Sequence, residues 1–321
     1  MADLIERMLQ GDRLALSRLI SQVENRTANV LELMARIYPH TGKVATVGIT
    51  GPPGAGKSTF VDRLIAAYRQ AGKKVGVIAV DPSSPFTGGA ILGDRIRMVS
   101  HAADEGVFIR SLGSRGHLGG LTMSTSEVVK LFDAFGMDVV LIETVGVGQS
   151  EFSVMEVADT VVVLLVPESG DTIQTMKAGL LEVADVFVVN KADRDGADKI
   201  RTELQLMVHL KGVVDGWEVP VFATVASRSE GIGEVFSAIA QHQTCLHTHP
   251  RARRADALKR ALQEIVREEL ALRVARSFDE DPSPLLLNIL PAVESGELDP
   301  YSAALRLVSD PGELATLIRS R

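Results

Sequence analysis

Seven short apolar runs alternate with helical stretches between Lys43 and about Cys245. They read VATVGIT, KVGVIAV, GVFIRSL, DVVLIET, TVVVLLV, DVFVVN and VPVFATV. Nearly every position in a run is apolar, which is typical of strands that are buried on both faces of a parallel sheet. The pattern therefore predicts an α/β fold for residues 43–245, in which helices flank a mostly parallel sheet.

The two ends of the chain have helical spacing instead. In residues 1–42 apolar positions recur three and four apart, and Gly11-Asp12 and PHTGK interrupt them, which predicts two or three helices. Residues 246–321 contain an uninterrupted segment of about eight turns and a shorter helix that begins at DPYSAALRLV. The long segment either packs on the central domain or forms a subunit interface. Its apolar stripe consists of Ala257, Leu258, Leu262, Ile265, Val266 and Leu270.

Composition and charge exclude several classes of protein. The 321 residues include 34 basic and 41 acidic side chains, and the net charge of −7 argues against broad binding to nucleic acid or anionic lipid. The longest apolar runs are too short to cross a bilayer. Cys245 is the only cysteine, and the N-terminus has no signal-peptide pattern. We expect a cytoplasmic protein without a nucleic-acid or membrane partner.

A phosphate-binding loop follows the first strand. GPPGAGKS fits the pattern G-x-x-x-x-G-K-S/T and lies between a predicted strand and a predicted helix, as the pattern requires. Glycines let backbone N–H groups turn towards phosphates, and the helix N-terminus adds a favourable dipole. Lys57 is expected to reach the β- and γ-phosphates, and the Ser58 hydroxyl to bind magnesium. The predicted phosphate-binding residues are Gly51, Pro52, Pro53, Gly54, Ala55, Gly56, Lys57, Ser58 and Thr59.

A second loop favours guanine over adenine. NKAD, with Asn190, Lys191 and Asp193, follows the strand DVFVVN. The Asp193 carboxylate can accept hydrogen bonds from N1–H and the 2-amino group of guanine, whereas adenine would leave a buried carboxylate unpaired. The Lys191 stem can cover the base, and Asn190 can tie this loop to the phosphate loop. The segment Val225, Ala226 and Ser227 occurs where GTPases direct a backbone N–H at guanine O6, although valine replaces the usual serine.

Three acidic residues near predicted strand ends are candidates for the magnesium site, together with Ser58, and for catalysis, together with Lys57. They are Asp81, Asp94 and Glu143. Glu143 belongs to ETVG, which replaces the common D-x-x-G, and the Gly146 N–H is expected to sense the γ-phosphate. Val147 follows, where Ras-like proteins have the glutamine that positions water. We therefore predict slow intrinsic hydrolysis that a partner accelerates.

Five motifs together resemble the MeaB/ArgK family of P-loop GTPases, which are chaperones associated with methylmalonyl-CoA mutase. They are GPPGAGKST, AVDPSSPFTGGAILGDRIRM, SRGHLGGL, ETVGVGQSE and NKAD. The resemblance covers essentially the whole chain and implies a homodimer held by the C-terminal arm. It implies that an adenosylcobalamin-dependent acyl-CoA mutase is the partner, and that GTP gates cofactor loading and protects the mutase. This chain itself would bind no cobalamin.

The resemblance also has implications for individual residues. It assigns the Mg–GTP site to Lys57, Asp81, Asp94 and Glu143. It adds a third switch in PESGDTIQTMKAGL, for which Gln174 and Lys177 are the candidate residues.

Two other functions stay open at this point. One is a kinase of the ArgK transport type, which would need an acceptor site near the γ-phosphate. The other is a metal-insertion GTPase, a class that commonly has clustered histidine or cysteine ligands. The short segment with Cys245, His247 and His249 lacks the spacing of a known zinc site, and we interpret it as a linker.

Overall fold

The structure is a computed structural model that describes most of the chain. The described residues are 2–27, 29–81, 101, 103–113, 118–144, 157–169, 183–248, 250–279, 284–309 and 311–318. They divide into two compact units, Met1–Pro250 and Arg251–Arg321.

A seven-stranded sheet forms the centre of the first unit. Its order is β3-β2-β4-β1-β5-β6-β7, and every neighbouring pair is parallel. Each of the seven apolar runs coincides with one of these strands, and only β2 and β3 extend one residue beyond their runs, so the predicted α/β class is confirmed. The strands are β1 Ala45–Thr50, β2 Val75–Asp81, β3 Val107–Gly113, β4 Val139–Thr144, β5 Thr160–Leu165, β6 Val186–Asn190 and β7 Val221–Thr224.

The strand order creates the crevice in which such sheets bind ligands. β1 lies between β4 and β5, so the chain winds towards β2 and β3 on one side and towards β6 and β7 on the other. Ligands of open α/β sheets bind where the winding direction reverses, beyond the carboxyl ends of the strands. At this edge β1 ends at Thr50, β4 at Thr144 and β6 at Asn190.

Helices cover both faces of the sheet because the strands are apolar on both sides. α4 and α7 bury Phe60, Leu64, Val235 and Ile239 against one face. The other described helices of this unit pack on the opposite face. Among the residues that the structure describes, the α-helices of the unit are α1 Ala2–Leu9, α2 Arg13–Glu24, α3 Val30–Ile37, α4 Lys57–Gln70, α5 Leu118–Phe135, α6 Ala197–Lys211 and α7 Ile232–Thr248.

The chain begins with three helices, which agree with the predicted two or three, and the second of them protects an edge of the sheet. Arg13 on α2 donates hydrogen bonds to the backbone oxygens of Glu105 and Val107, at 2.8 and 2.7 Å, next to edge strand β3. Arg110 on β3 forms an ion pair of 2.6 Å with Glu24 of α2. Helix α2 therefore covers backbone groups that an exposed edge would offer to another chain.

Removal of the Arg110–Glu24 pair should destabilise the first unit. Arg110→Met keeps most of the apolar stem but leaves the largely buried Glu24 carboxylate without the guanidinium. We expect the free energy of unfolding to fall by about 1–3 kcal/mol, as measured by urea denaturation. Arg18→Met is the matched control, because Arg18 is an exposed arginine on α2, the helix that carries Glu24. An equal loss in both variants would contradict this role of the pair.

Helices contain most of the described residues of the second unit, and a turn at residues 295–299 separates two of them. The predicted long segment, residues 251–278, lies entirely within one helix of 30 residues, α8 Pro250–Asp279. α9 Pro284–Glu294 and α10 Pro300–Ser309 bury a small cluster of Leu286, Ile289, Ala303 and Leu307. α11 Pro311–Ile318 follows. Neither unit contains, in its described part, a helix that combines the length and the apolar character needed to cross a membrane.

Candidate functional site

The phosphate loop has the backbone conformation that its glycines predict. Gly51, Gly54 and Gly56 have φ angles of +143°, +76° and +86°, which L-residues with side chains rarely adopt. A Cβ atom on Gly51 would lie 2.0 Å from the carbonyl oxygen of Leu164. Gly56 directly precedes α4, so backbone N–H groups at the start of this helix form a natural anion site.

The two polar residues at the start of α4 are buried and oriented by the protein. The Lys57 ammonium donates to the carbonyl oxygens of Gly51 and Pro52 at 2.7 and 3.1 Å. The Ser58 hydroxyl donates to Glu143 Oε1 at 2.6 Å. A hydroxyl and a carboxylate oxygen thus lie together beside the phosphate loop. Oxygen atoms of this kind are the ligands that Mg²⁺ prefers, so these residues fit the predicted ion.

Asn190 connects the base loop to the phosphate loop, as the sequence predicted. This side chain is 2% exposed. Its Nδ2 donates to the Ala55 carbonyl at 2.8 Å, and its Oδ1 accepts from Thr224 Oγ1 and the Ala226 N–H, both at 3.1 Å. One amide side chain therefore holds three segments: the phosphate loop, the end of β6 and the turn after β7.

Lys191 makes a second connection between the same loops. Its φ of +56° is in the left-handed region. The Nζ atom donates to the Gly54 carbonyl at 2.7 Å. This bond draws the lysine stem back towards the phosphate loop, an arrangement that is compatible with the predicted cover over a base.

Asp193 lies at the same edge of the sheet and remains accessible. Its side chain is 44% exposed, and its Oδ2 is 3.7 Å from the Arg228 guanidinium. Arg228 also pairs with Glu230 at 3.0 Å. The carboxylate is thus open to a ligand, while a cation on the neighbouring turn faces one of its oxygens.

The turn after β7 is held by bonds within the protein. The N–H of Val225 donates to the Glu230 carbonyl at 3.1 Å, and the N–H of Ala226 donates to Asn190. Two of the backbone donors in the predicted contact with guanine O6 therefore have protein acceptors in this structure. The contact of Val225, Ala226 and Ser227 with guanine stays a prediction.

The sequence reasoning missed an ion pair that joins the base loop to the end of β5. Arg194, next to Asp193, pairs with Glu168 in the short helix Pro167–Ser169. The pKa of the Glu168 carboxyl is lowered, mainly by a backbone hydrogen bond and to a smaller extent by the hydrogen bond from Arg194. Arg194 and Glu168 are 26 positions apart in the sequence, so no local pattern indicates their contact. The only available signal was that Arg194 directly follows the NKAD motif.

The remaining predicted residues are described in part or not at all. Asp81 is the last residue of β2, opposite Gly113 in register, and only its backbone is described. Asp94, Gly146, Gln174 and Lys177 lie outside the described residues. Among the side chains that the structure does describe, no group of three or more His, Cys, Asp or Glu residues could hold a metal ion.

The family is decided by a comparison over most of the chain. The family model described as "Methylmalonyl Co-A mutase-associated GTPase MeaB" matches residues 16–279. The chain belongs to the MeaB family. The matched range includes both loops of the site and confirms the resemblance that the sequence motifs indicated.

Comparison with individual proteins supports the assignment to the MeaB family. A protein of Pyrococcus abyssi is 48% identical over 307 residues, which is 94% of each chain. GTPase ArgK of Escherichia coli is 42% identical over 254 residues, 77% of each chain. The solved structure of a LAO/AO transport system kinase is 31% identical with a TM-score of 0.69, and 96% of each chain is covered. This MeaB-family chain is a P-loop GTPase.

Proposed function

We propose that this GTPase is a chaperone for an adenosylcobalamin-dependent acyl-CoA mutase of the methylmalonyl-CoA mutase type. GTP binding and hydrolysis would gate loading of the mutase with its cofactor and protect the mutase from inactivation. The observation that carries the proposal is the family match, since the description of the matched family names association with this mutase. The match extends from α2 to α8 and thus beyond the nucleotide domain.

We infer that the nucleotide is Mg–GTP. The phosphate loop Gly51–Thr59 would bind the phosphates, and Asp193 the base. Ser58 and Glu143, joined by a bond of 2.6 Å, would hold the ion together with Asp81 and Asp94. When bound, Mg²⁺ neutralises charge on the β- and γ-phosphate oxygens.

The chain's own residues support slow hydrolysis in the absence of a partner. Lys57, which bonds to the phosphate-loop carbonyl of Gly51, would contact the phosphates, but valine occupies position 147. An isopropyl group has no atom that can orient an attacking water molecule, which is the task of the glutamine in Ras-like enzymes. A mutase that completes or reorganises this region would therefore control when GTP is hydrolysed.

The second unit supports a homodimer. Three apolar side chains spaced four residues apart on α8, Leu262, Val266 and Leu270, are 62%, 49% and 40% exposed. Their spacing puts them on one stripe of the helix. A second copy of the chain would remove this stripe from water, in agreement with the dimeric arm that the family resemblance implies.

The mutase proposal predicts that the client accelerates hydrolysis. On addition of a purified cobalamin-dependent mutase, the rate of phosphate release should rise at least about tenfold, since partner-supplied groups in GTPases contribute far more than that. The two proteins should also co-elute in size-exclusion chromatography with light scattering, which reports their stoichiometry. Lys57→Ala should abolish the stimulated rate, and an acyl-CoA enzyme without cobalamin should give no stimulation.

Three clients are to be compared: the methylmalonyl-, isobutyryl- and ethylmalonyl-CoA mutases. An unchanged hydrolysis rate together with separate elution for all three would contradict the chaperone proposal. The GTPase assignment would be unaffected, because the protein without a client serves as the baseline.

A kinase is the second candidate, since one solved relative is a LAO/AO transport system kinase. Incubation with GTP labelled at the γ-phosphate distinguishes the two functions. The chaperone proposal expects all label in free phosphate. Label in a small-molecule or protein acceptor would favour the kinase.

A further inference from the structure

Two buried hydroxyl groups join the ends of β1 and β4. Thr144 Oγ1 lies 3.1 Å from Thr50 Oγ1 and 3.5 Å from the carbonyl oxygen of Ile49. Thr50 and Thr144 are each 2% exposed. Each is the last residue of its strand, so the hydroxyl pair lies where both strands give way to loops.

The pair lies on the face of the sheet opposite α4. Ile49 and Glu143 are partners in register, and the next residue on each strand points to the other face. On the α4 face, Glu143 accepts the Ser58 hydroxyl bond. On the opposite face, Thr144 bonds to Thr50. The end of β4 is thus tied to the phosphate-loop segment on both faces of the sheet.

Packing alone does not account for these hydroxyl groups. The neighbours in register are Val163 beside Thr50 and Val80 beside Thr144, and both belong to the hydrophobic core. Valine has nearly the volume and shape of threonine and would suit such surroundings without a polar group to satisfy. A buried hydroxyl requires a hydrogen bond, so the threonine pair fixes the position of one strand end relative to the other. Valines at the same positions would only fill the space.

In the sequence, the two threonines directly precede segments that are predicted to contact phosphate. Thr50 precedes Gly51, whose carbonyl accepts the Lys57 ammonium. Thr144 precedes Val145 and Gly146, and the Gly146 N–H is the predicted contact of the γ-phosphate. A hydrogen bond between the threonines fixes the end of β4 relative to the start of the phosphate loop.

We infer that Thr144 is a positioning residue for recognition of the γ-phosphate. Its bond to Thr50 holds the exit of β4 at a set position relative to the phosphate loop. The β-phosphate, which both GTP and GDP carry, is bound by the phosphate loop itself. The hydroxyl pair therefore contributes to the preference for triphosphate over diphosphate. This inference needs the nucleotide site but no mutase partner.

Thr144→Val tests the inference without a change in shape. The two probes are the non-hydrolysable analogue guanosine 5′-(β,γ-imido)triphosphate and GDP, each titrated with Mg²⁺ by calorimetry. The analogue should bind about 3- to 10-fold more weakly, the worth of one hydrogen bond, while GDP affinity should stay within about twofold. The kcat for GTP should fall by a similar factor. Thr144→Ser should restore both values.

Two further variants separate positioning from stability. Thr46→Val removes a buried hydroxyl at the amino end of β1, the strand that ends at Thr50. In the wild type, Thr46 Oγ1 bonds to Asp159 Oδ2 at 2.6 Å. The substitution should lower the melting temperature but leave the ratio of the two affinities unchanged. Thr50→Val should shift the ratio of the two affinities in the same direction as Thr144→Val. The double variant should lose less than the sum of the two single losses, because both changes break the bond between the two hydroxyl groups.

The inference is overturned if Thr144→Val leaves the affinity ratio and kcat within twofold of wild type. It is also overturned if the Thr46→Val control shifts the ratio equally, or if GDP affinity falls in parallel with that of the analogue. Wild-type protein that bound neither probe would contradict the nucleotide site itself, so the same titration distinguishes that failure from this one.

Discussion

Replacement of Asp193 by asparagine should remove GTP binding and create a site for xanthosine triphosphate. The carboxylate is the predicted acceptor for N1–H and the 2-amino group of guanine, and it is open to a ligand at the site edge. Asparagine keeps one oxygen that can accept from N1–H, but its amide N–H donor would face the 2-amino donor of guanine. Loss of one charged hydrogen bond contributes about 1.5–3 kcal/mol, and the donors left unpaired cost about 1–3 kcal/mol more. Together these changes should weaken GTP binding on the order of 10²- to 10⁴-fold. Xanthine has a carbonyl at position 2, which the new amide N–H can meet.

Asp195→Asn is the matched control for this experiment. It makes the same change of charge two residues away, on an exposed side chain of the same turn. Calorimetry with GTP, xanthosine triphosphate and ATP should show a switch of preference for Asp193→Asn and affinities within about twofold of wild type for Asp195→Asn. Unchanged GTP affinity in the Asp193 variant would contradict the base-site assignment. Tight ATP binding by the wild type would contradict the choice of guanine.

The strands could be predicted because their signal is local. A parallel strand covered on both faces needs only a short apolar run, and all seven runs provide one. The phosphate loop is local as well, since strand, glycines, Lys57 and helix are consecutive. Its unusual backbone angles at Gly51, Gly54 and Gly56 follow from residue type alone.

The contacts that hold the site together could not be predicted in the same way. Asn190 reaches the Ala55 carbonyl from 135 positions away and the Thr224 hydroxyl from 34. The motif indicated that a tie to the phosphate loop was available. It gave no information on the turn after β7, because that contact depends on which strand neighbours β6.

The hydroxyl pair of Thr50 and Thr144 depends on the same kind of information. Each threonine by itself is an ordinary strand residue with a β-branched side chain. The pair exists because β1 and β4 are neighbours in the sheet and in matching register, although 94 positions separate them. The strand order, which local patterns do not encode, thus selects the residues that support the chemistry.

Asn190 makes the two halves of the nucleotide site interdependent. Its side-chain amide bonds to the phosphate loop with one atom and to the turn after β7 with the other. A displacement of the phosphate loop would therefore be transmitted to the segments that are predicted to contact the base. A Cβ on Gly56 would lie 2.6 Å from the Asn190 Nδ2, so this connection also restricts which residue the loop can carry.

Gly51→Ala should have a large effect on both stability and nucleotide affinity. The new methyl group would lie 2.0 Å from the Leu164 carbonyl oxygen, on a backbone with φ of +143°. A backbone carbonyl within β5 cannot move aside as a side chain can, so the phosphate loop itself must shift. We expect the free energy of unfolding to fall by about 2–6 kcal/mol, from overpacking and backbone strain together. GTP affinity should fall by on the order of 10²-fold, because the loop no longer meets the phosphates.

Gly72→Ala separates the clash from the strain. Gly72, just after α4, has φ of +75°, but a Cβ there would meet nothing within 4 Å. This variant should lose about 1 kcal/mol of stability and retain wild-type GTP affinity. Urea denaturation gives the stability and calorimetry of the folded fraction gives the affinity, so a Gly51 variant that is only partly folded remains informative. A Gly51→Ala protein with stability and affinity equal to those of Gly72→Ala would contradict the close approach of the loop to β5, and with it the rigid phosphate loop on which the nucleotide site depends.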